Sequence, residues 1–310
     1  MTTPWGALHV SDAHVHFFSQ SFFSALAAQK KDLPEDAKLE ALGRVLGWRM
    51  PPAEPERLAE EWVAELDRHG VARAALIASV HGDESSVAAA VARFPDRFYG
   101  YSMLNPLAPD ALERLDSALG RGLRGICLFP AMHRYSVTDE RVRPVIGKAA
   151  AAGGVVFVHC GVLTVGVRNK LGLPSPFDMR YSNPVDLHPV ALEFSRVRFV
   201  VPHFGAGYFR EALMLCDLCP NVYLDTSSTN SWMRYLGLDL ASVFRRALDV
   251  VGPGRLLFGT DSSFFPRGWH AEIFARQVQV LSSIGLSAPD AARILSANLE
   301  TLLQEPTPAV

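Results

Sequence analysis

Hydrophobic and polar positions divide the chain into short apolar runs that alternate with longer amphipathic runs. The apolar runs are rich in β-branched and aromatic residues, which is typical of strands. Several of them lack an alternating polar position, as expected for parallel strands that are covered on both faces. The pattern predicts eight strands, at residues 8–17, 72–79, 98–104, 124–129, 155–160, 198–204, 222–227 and 255–261.

The amphipathic runs predict a helix after each strand. In one of these runs Leu58, Trp62 and Leu66 fall on a single stripe, as in a helix that packs on a core. Gly70 follows this stripe and suits the left-handed conformation that ends many helices. The last helix begins after Ser287, whose hydroxyl suits an N-cap.

Eight strand–helix units favour a single (β/α)₈ TIM barrel over residues 1–310, a chain length that this fold accommodates. A doubly wound open sheet is the alternative, but the glycine-rich turn that such sheets often carry does not follow the first strand. Insertions at 19–53 and 161–183 interrupt the alternation after the first and fifth strands. In a barrel both insertions would lie over the C-terminal mouth, where ligands bind.

Composition narrows the class of protein. The chain has 310 residues, of which 49% are hydrophobic and 20% charged, with a net charge of −2, as in an ordinary globular protein. Near-neutral charge without a basic run argues against nucleic acid and anionic membranes as partners. The N-terminus lacks the pattern of a signal peptide, and no stretch approaches the roughly 20 apolar residues of a transmembrane helix, so we expect a cytoplasmic protein.

The four cysteines are too few to predict a disulfide framework at this chain length. Cys216 and Cys219 make a CxxC pair. No second pair completes a zinc site, and this pair ends an apolar helical run rather than following a strand. We therefore predict that both are small buried hydrophobic residues.

Polar side chains end several of the predicted strands. The first strand contains Asp12, His14 and His16 at alternate positions, which places them on one face. Taken alone, this set also fits hydrogen-bonded core histidines or an exposed strand face. Three more strands carry a candidate ligand at the C-terminal end, namely His159 on the fifth, His203 on the sixth and Asp261 on the eighth. These ends meet at the mouth of a barrel, and imidazole and carboxylate donors suit a zinc-like ion, so the pattern predicts a metal site.

Five motifs carry a resemblance that spans nearly the whole chain. They are DAHVHF in the first strand, VHCG in the fifth, VPHFG in the sixth, FGTDSSF in the eighth and ILSANLETLL in the last helix. Together they resemble the amidohydrolase superfamily, and within it the amidohydrolase-related branch of metal-dependent hydrolases and aromatic-acid decarboxylases. The resemblance implies a distorted TIM barrel with a catalytic divalent metal, most often Zn²⁺. It implies the ligands His14, His16, His159 and Asp261, with His203 beside the ion as a catalytic group or an occasional ligand.

The fourth strand departs from the pattern of the members that hold two metals. Those members carry a carboxylated lysine, or sometimes a glutamate, at the end of this strand. Here the strand reads RGICLFPAMH, with Cys127 in the corresponding region. Cys127 is a candidate soft ligand, but a small buried residue is the preferred interpretation. We therefore expect a site for one metal ion, with Zn²⁺ as the first candidate.

The implied chemistry follows from the ligand set. A bound zinc ion lowers the pKa of a water molecule to roughly 7. Asp261 would accept the proton, and His203 would polarise a carbonyl group or stabilise an oxyanion. The first hypothesis is hydrolysis of an amide, lactone or similar bond of a small organic substrate. The same ligands serve non-oxidative decarboxylation of an aromatic or unsaturated carboxylic acid, which is the alternative, and a non-catalytic metal-binding protein is a third.

Supporting groups are harder to assign. Asp12 either fixes an imidazole tautomer or is a buried acid that is hydrogen-bonded to the backbone. Arg49 and Arg168 in the insertions are candidate clamps for a substrate carboxylate, with Asn169 and Lys170 beside the second. Candidates for an aromatic wall are Phe17, Phe18, Phe264, Phe265 and Trp269, and Trp232 lies at the same mouth. For each of the clamp and wall candidates taken singly, a solvated loop charge or ordinary packing is the preferred interpretation. The resemblance also suggests a homo-oligomer.

Overall fold

The computed structural model describes residues 1–263 and 267–304 of the chain. Its strands are β1 (Thr2–Thr3), β2 (Gly6–Ala7), β3 (Ser11–Phe17), β4 (Arg73–Ala78), β5 (Phe98–Leu104), β6 (Gly125–Leu128), β7 (Val155–Val158), β8 (Phe199–Val201), β9 (Val222–Asp225), β10 (Leu256–Leu257) and β11 (Ser262–Ser263). Within this described part, β1 and β2 form an antiparallel hairpin. The other nine form one sheet in the order β10-β9-β8-β7-β6-β5-β4-β3-β11, and every pairing in it is parallel.

Two short strands stand in place of the eighth predicted strand: β10 lies within the predicted range of 255–261, and β11 follows that range. β10 pairs with β9 on one side, whereas β11 pairs with β3 on the other. Between them, the Phe258 carbonyl accepts from the Ala13 N–H at 2.8 Å, and the Asp261 N–H donates to the His14 carbonyl at 3.0 Å. This segment therefore joins both ends of the sheet. The result is a distorted (β/α)₈ TIM barrel, as predicted.

Helices follow the strands and cover the outside of the sheet, also as predicted. They are α1 (Gln20–Gln29), α2 (Lys38–Leu46), α3 (Pro55–His69), α4 (Glu84–Arg93), α5 (Ala111–Gly120), α6 (Pro130–His133), α7 (Arg143–Ala151), α8 (Gly166–Lys170), α9 (His188–Glu193), α10 (Phe209–Leu218), α11 (Leu240–Val250), α12 (Ala271–Ser283), α13 (Ala288–Ala292) and α14 (Asn298–Gln304), with a π-helical turn at Arg293–Ala297. Gly70 ends α3 in the left-handed conformation, and the Ser287 hydroxyl caps α13. Among the described residues, no helix has the length and apolar character needed to cross a membrane.

Two apolar clusters make the core. One lies between the sheet and the helices, where Trp62 and Leu66 of α3 are fully buried. The other fills the barrel, where Cys127 and Phe157 are buried and residues 299–303 of α14 close the far end. Cys127 is therefore a buried packing residue, as are Cys216 and Cys219, and all three are free thiols. The Phe157 ring packs against the ring of His14, with 5.1 Å between centroids, so the site rests on this core.

Candidate metal centre

The barrel brings the predicted ligands together at the C-terminal ends of its strands. His14 and His16 lie on β3, His159 follows β7, and His203 follows β8. Asp261 lies in the short segment between β10 and β11. His14, His159 and His203 are buried, whereas the side chain of Asp261 is 29% exposed. The carboxylate is thus the member of the set that is most open to solvent.

Three of these side chains form a small triangle of donor atoms. Nε2 of His14 lies 3.4 Å from Nε2 of His16. Oδ1 of Asp261 lies 3.2 Å from Nε2 of His16 and 3.6 Å from Nε2 of His14. Donors bound about 2.1 Å from a tetrahedral ion lie roughly 3.4 Å from one another. The triangle therefore fits three ligands of one divalent ion, and the donor set suits zinc or a similar metal.

Two further histidines border the triangle. His14, His203 and Asp261 each offer a ligand atom that lies within 4.8 Å of the other two. The ring of His159 lies 5.4 Å from that of His203, between centroids. Nδ1 of His159 is a buried nitrogen without a hydrogen-bond partner among the described atoms. A buried nitrogen of this kind calls for an explanation, and a nearby ion or substrate is one.

Outer partners orient three of the imidazole rings. Nδ1 of His14 lies 2.6 Å from Oδ2 of Asp225 and 3.0 Å from Oγ of Ser227. Nδ1 of His16 lies 2.9 Å from Oγ of Ser79. Nδ1 of His203 lies 2.8 Å from Oγ of Ser227. Because these partners engage Nδ1, Nε2 is the nitrogen that stays available to bind an ion in His14 and His16.

For four of the five side chains in the cluster, the electrostatics favour the charge state that binds a cation. Burial lowers the pKa of His16, His159 and His203, which keeps these rings neutral, the form in which imidazole binds a metal. Burial alone would raise the pKa of Asp261, but the hydrogen bond with His16 and the nearby His14 and His203 outweigh it, so the pKa is lowered. Asp261 is therefore ionised, the form in which a carboxylate can bind a cation.

Asp225 and His14 form a coupled pair at the edge of the cluster. Burial alone would lower the pKa of His14, yet the attraction and hydrogen bond of Asp225 outweigh it and raise that pKa. Burial would likewise raise the pKa of Asp225, but the attraction and hydrogen bond of His14 lower it. Asp225 is therefore an ionised acceptor for the Nδ1 hydrogen of His14.

Backbone strain concentrates at this end of the barrel. Among the described residues, seven that are not glycine have positive φ, and all but Arg134 follow β8, β9 or β10. His203 has a φ of 55° and Asp261 a φ of 60°. A non-glycine residue in this region costs of order 1–3 kcal/mol, and such strain is typical of functional sites. The surrounding hydrogen bonds hold both side chains at the mouth of the barrel despite this cost.

Gly161 in the VHCG motif permits a close approach between two loops that carry predicted site residues. Its φ is 79°, and an added Cβ would lie 2.3 Å from the carbonyl oxygens of Gly205 and Ala206. The next residue donates its N–H to the Ala206 carbonyl at 2.8 Å. The loop after β7, with His159, thus packs directly on the loop after β8, with His203.

A cavity of about 430 Å³ opens above the triangle. His16, His159, His203 and Asp261 line its floor. Both insertions contribute to its wall, as predicted, through Phe22 and Trp48 of the first and residues 162–167 and Lys170 of the second. Among the residues that the structure describes, the Phe, Trp and Tyr side chains of the lining are Phe18, Phe22, Trp48, Phe129, Trp232 and Tyr235, and its Lys and Arg side chains are Lys170 and Arg267.

The two predicted carboxylate clamps lie elsewhere. Arg49 pairs with Glu61 at 2.7 Å, and its side chain is 64% exposed. Arg168 donates to the Pro174 carbonyl and to the side-chain oxygen of Gln29. Neither guanidinium is among the described residues that line the cavity. The insertions fold so that the neighbouring Lys170 faces the cavity instead.

Only some of the aromatic residues that were predicted at the mouth of the barrel line the cavity. Phe18 and Trp232 line the cavity. Phe17 is buried in the core, and Trp269 is buried with its indole N–H on Asp12, so these two are packing residues, the preferred interpretation, and do not form the wall. Alternation in β3 turns Phe17 away from the face that carries His16. Phe264 and Phe265 lie outside the described residues.

Asp12 is the buried, backbone-bonded acid rather than the partner of an imidazole. Its carboxylate accepts from the N–H groups of His14 and Thr260, the Thr260 hydroxyl and the Trp269 indole. Burial raises the pKa of Asp12 to about 6. The residue that fixes the tautomer of His14 is Asp225, which sequence reasoning missed. Asp225 ends β9 in the same way as the predicted ligands end their strands, and that was the available signal.

The chain belongs to the amidohydrolase family, whose model matches residues 11–303. A curated relative, the protein fluG of Emericella nidulans, is 36% identical over 85 residues, which are 27% of this chain and 10% of that protein. This chain therefore matches only a small part of the length of that relative.

Solved structures show the same fold at low sequence identity. A 5-carboxyvanillate decarboxylase from Novosphingobium aromaticivorans, complexed with manganese and 4-hydroxy-3-methoxy-5-nitrobenzoic acid, has a TM-score of 0.65 and 14% identity, with 96% of this chain and 97% of that chain covered. A probable 2-pyrone-4,6-dicarboxylic acid hydrolase from Acinetobacter baumannii has a TM-score of 0.62 and 15% identity, covering 96% and 100%. An amidohydrolase from Burkholderia multivorans with bound zinc has a TM-score of 0.62 and 18% identity, covering 96% and 100%. Similar folds thus include hydrolases and decarboxylases, with manganese or zinc.

Proposed function

We propose that this protein is a metal-dependent hydrolase that cleaves an amide, lactone or similar bond of a small organic substrate. One divalent ion, Zn²⁺ foremost, would be held by His14, His16, His159 and Asp261. The observation that carries the proposal is the donor triangle of His14, His16 and Asp261, which has the edge lengths of a tetrahedral site and opens into a cavity. A tetrahedral ion with four protein ligands has no open position, so in catalysis this ion would take water or substrate as a fifth ligand from the side of the cavity.

The residues of the site have distinct tasks. A bound divalent ion supplies Lewis acidity, which polarises a substrate oxygen and makes water more acidic. Asp261 is the one acidic side chain among the described residues that line the cavity, so it is suited to accept a proton from water and to pass it to the leaving group. With the Ser227 hydroxyl donating to Nδ1 of His203, the hydrogen of the neutral ring would lie on Nε2, which could then donate to the oxygen that becomes negative.

The wall of the cavity indicates the substrate. Its aromatic side chains suit a flat, unsaturated molecule. Nζ of Lys170 lies 4.7 Å from the centre of the Trp48 ring, and Nη2 of Arg267 lies 3.3 Å from the Ser263 hydroxyl. Both cations line the cavity, so they are available to a carboxylate group of the substrate.

The same wall also favours a second candidate, the non-oxidative decarboxylation of an aromatic or unsaturated carboxylic acid. Two cations beside an aromatic surface suit a carboxylated ring. In this reaction Asp261 or His203 would deliver a proton to the ring carbon that loses CO₂. The two candidates differ in the fate of solvent atoms, because hydrolysis adds the oxygen of water to the product and decarboxylation adds only a hydrogen.

An isotope experiment separates them. Metal-loaded protein is incubated with a panel of carboxylated lactones, amides and aromatic acids in H₂¹⁸O and, separately, in D₂O, and evolved CO₂ is measured. Hydrolysis predicts one solvent ¹⁸O in the product and no CO₂. Release of one CO₂ per substrate with one deuterium on the ring would overturn the hydrolase assignment in favour of the lyase. Asp261→Asn should abolish turnover, and Asp239→Asn, an exposed helix cap, is the matched control.

A further inference from the structure

The carboxylate of Asp12 lies where the first and eighth strands of the barrel meet. The residue is fully buried. Oδ1 accepts from the His14 N–H at 2.9 Å and from the Thr260 N–H at 3.1 Å. Oδ2 accepts from the Thr260 hydroxyl at 2.5 Å and from the Trp269 indole N–H at 2.8 Å. One side chain therefore binds donors on both strands and on the segment before α12.

Both strands are irregular at this point. The pairing of β3 with β4 shifts between Asp12 and Val15, so that Ala13 and His14 lie opposite a single residue of β4. On the other side, residues 258–261 separate β10 from β11. A bulge of this kind commonly redirects a side chain beside an active site. The backbone N–H groups at such breaks need other acceptors, and Asp12 provides one for each strand.

These two irregular segments carry two corners of the donor triangle. Asp12 binds the backbone of His14 directly, and it binds the backbone of the residue that precedes Asp261. The Asp261 N–H in turn donates to the His14 carbonyl at 3.0 Å. Nε2 of His14 lies 3.6 Å from Oδ1 of Asp261. We propose that Asp12 is a positioning residue that sets the distance between His14 and Asp261 and thereby the geometry of the metal centre.

The outer layer of the barrel supports this arrangement. Trp269, which donates to Asp12, also donates its backbone N–H to Oε1 of Glu65 at 2.9 Å. Glu65 lies on α3 and is itself buried. Asp12 is therefore anchored to a rigid helix as well as to two strands. The inference rests on the proposed metal centre, but it is independent of whether the reaction is hydrolysis or decarboxylation.

Asp12→Asn tests the role with the least change of shape. Asparagine keeps one oxygen for the two backbone N–H groups, but its amide NH₂ then faces the Trp269 indole N–H, donor against donor. Thr260→Val is a milder second variant, because it removes only the hydroxyl donor. Glu300→Gln is the matched control: Glu300 accepts from Ser11 at 2.8 Å, so it holds the same strand at the opposite end of the barrel.

Metal-free proteins are titrated with Co²⁺ by equilibrium dialysis, with the visible spectrum of the bound ion and the Tm of each metal-free protein recorded alongside. Wild type should bind one Co²⁺, and Asp12→Asn should bind it about 10- to 100-fold more weakly with an altered spectrum. Thr260→Val should shift affinity in the same direction by a smaller factor. Glu300→Gln should lower Tm yet keep the affinity and spectrum of wild type.

Other results would overturn the inference in distinguishable ways. Wild-type affinity and spectrum in both Asp12→Asn and Thr260→Val would remove the positioning role while leaving the metal centre intact. An equal loss in Glu300→Gln would show general destabilisation instead of positioning. Failure of wild type to bind Co²⁺ would overturn the metal centre itself, and this inference with it.

Discussion

Oδ2 of Asp225 lies 2.6 Å from Nδ1 of His14, and both side chains are buried. The contact keeps a hydrogen on Nδ1 and directs the lone pair of Nε2 toward His16 and Asp261. It joins the end of β9 to β3. These two strands flank the segment that contains β10. The pair therefore couples the closure of the barrel to the orientation of a predicted ligand.

Removing the charge of Asp225 should weaken metal binding. Asp225→Asn replaces an ionised acceptor with a neutral amide, which accepts the Nδ1 hydrogen less strongly and permits the other tautomer. We expect the affinity for Zn²⁺ or Co²⁺ to fall about 10- to 100-fold, measured by competition with a chelator. Asp239→Asn, at the exposed cap of α11 in the same β/α unit, should bind metal like wild type. Unchanged affinity in Asp225→Asn would show that His14 needs no partner to coordinate.

Lys170 should contribute to the binding of an anionic ligand. Isophthalate, an aromatic dicarboxylate, is a suitable probe, and its binding can be followed through tryptophan fluorescence because Trp48 lies beside Lys170. Lys170→Met should weaken binding about 10-fold or more, since a hydrogen bond to a charged group contributes about 1.5–3 kcal/mol. Lys148→Met is the control, because Lys148 lies on the surface and pairs with Asp116. Equal affinities in both variants would exclude Lys170 from anion recognition.

Gly161 should tolerate no side chain. In Gly161→Ala the new methyl group would meet the carbonyl oxygens of Gly205 and Ala206 at 2.3 Å, and the positive φ adds strain. We expect a loss of about 1–3 kcal/mol or more in the free energy of urea unfolding, with weaker metal binding because the His159 and His203 loops move apart. Gly166→Ala, where an added Cβ has open space, is the control and should leave both quantities unchanged. Equal stability of the two variants would contradict the close approach of these loops.

Much of the fold follows from local patterns in the sequence. Apolar runs define the strands because parallel strands are covered on both faces, and the polar residues that end those runs meet because the barrel gathers its strand ends. Periodicity cannot show that the eighth strand breaks at Asp261, or that β3 bulges at His14, because both depend on closure of the sheet.

The residues that contact the predicted ligands were harder to predict from the sequence. Asp225 has the same sequence signal as Asp261, yet only the curvature of the barrel decides that it meets His14. Arg49 was placed at the site because its insertion lies there, but a loop of irregular structure can turn a given side chain either way. In the second insertion Lys170 faces the cavity and Arg168 does not, and the sequence alone does not distinguish these two directions.

The protein should lose stability on mild acidification through His133. Burial, followed by the nearby His81, lowers the pKa of His133 from 6.5 to about 4. The unfolded chain therefore takes up a proton near pH 6.5, whereas the folded protein does so only near pH 4. Stability is present above pH 6.5 and is lost as pH falls toward 4, by up to about 3 kcal/mol.

His133→Gln removes this titration. Urea unfolding between pH 4 and 7 should show a shallower loss of stability in this variant than in wild type. His188→Gln, which changes a half-buried histidine at the start of α9, should follow the wild-type curve. If the free energy of unfolding of His133→Gln falls with pH as steeply as that of wild type, groups other than His133 cause the loss of stability in acid.

The most direct test of the metal centre is the zinc content of single-ligand variants. Four metal-free proteins are loaded with zinc and dialysed: wild type, His14→Ala, Asp261→Asn and the control His188→Ala. Their zinc content is then measured by inductively coupled plasma mass spectrometry. The account predicts one zinc per chain in wild type and in the control, and almost none in the two ligand variants. Full zinc content in His14→Ala and Asp261→Asn, or none in wild type, would contradict the proposal that these strand ends hold a divalent ion.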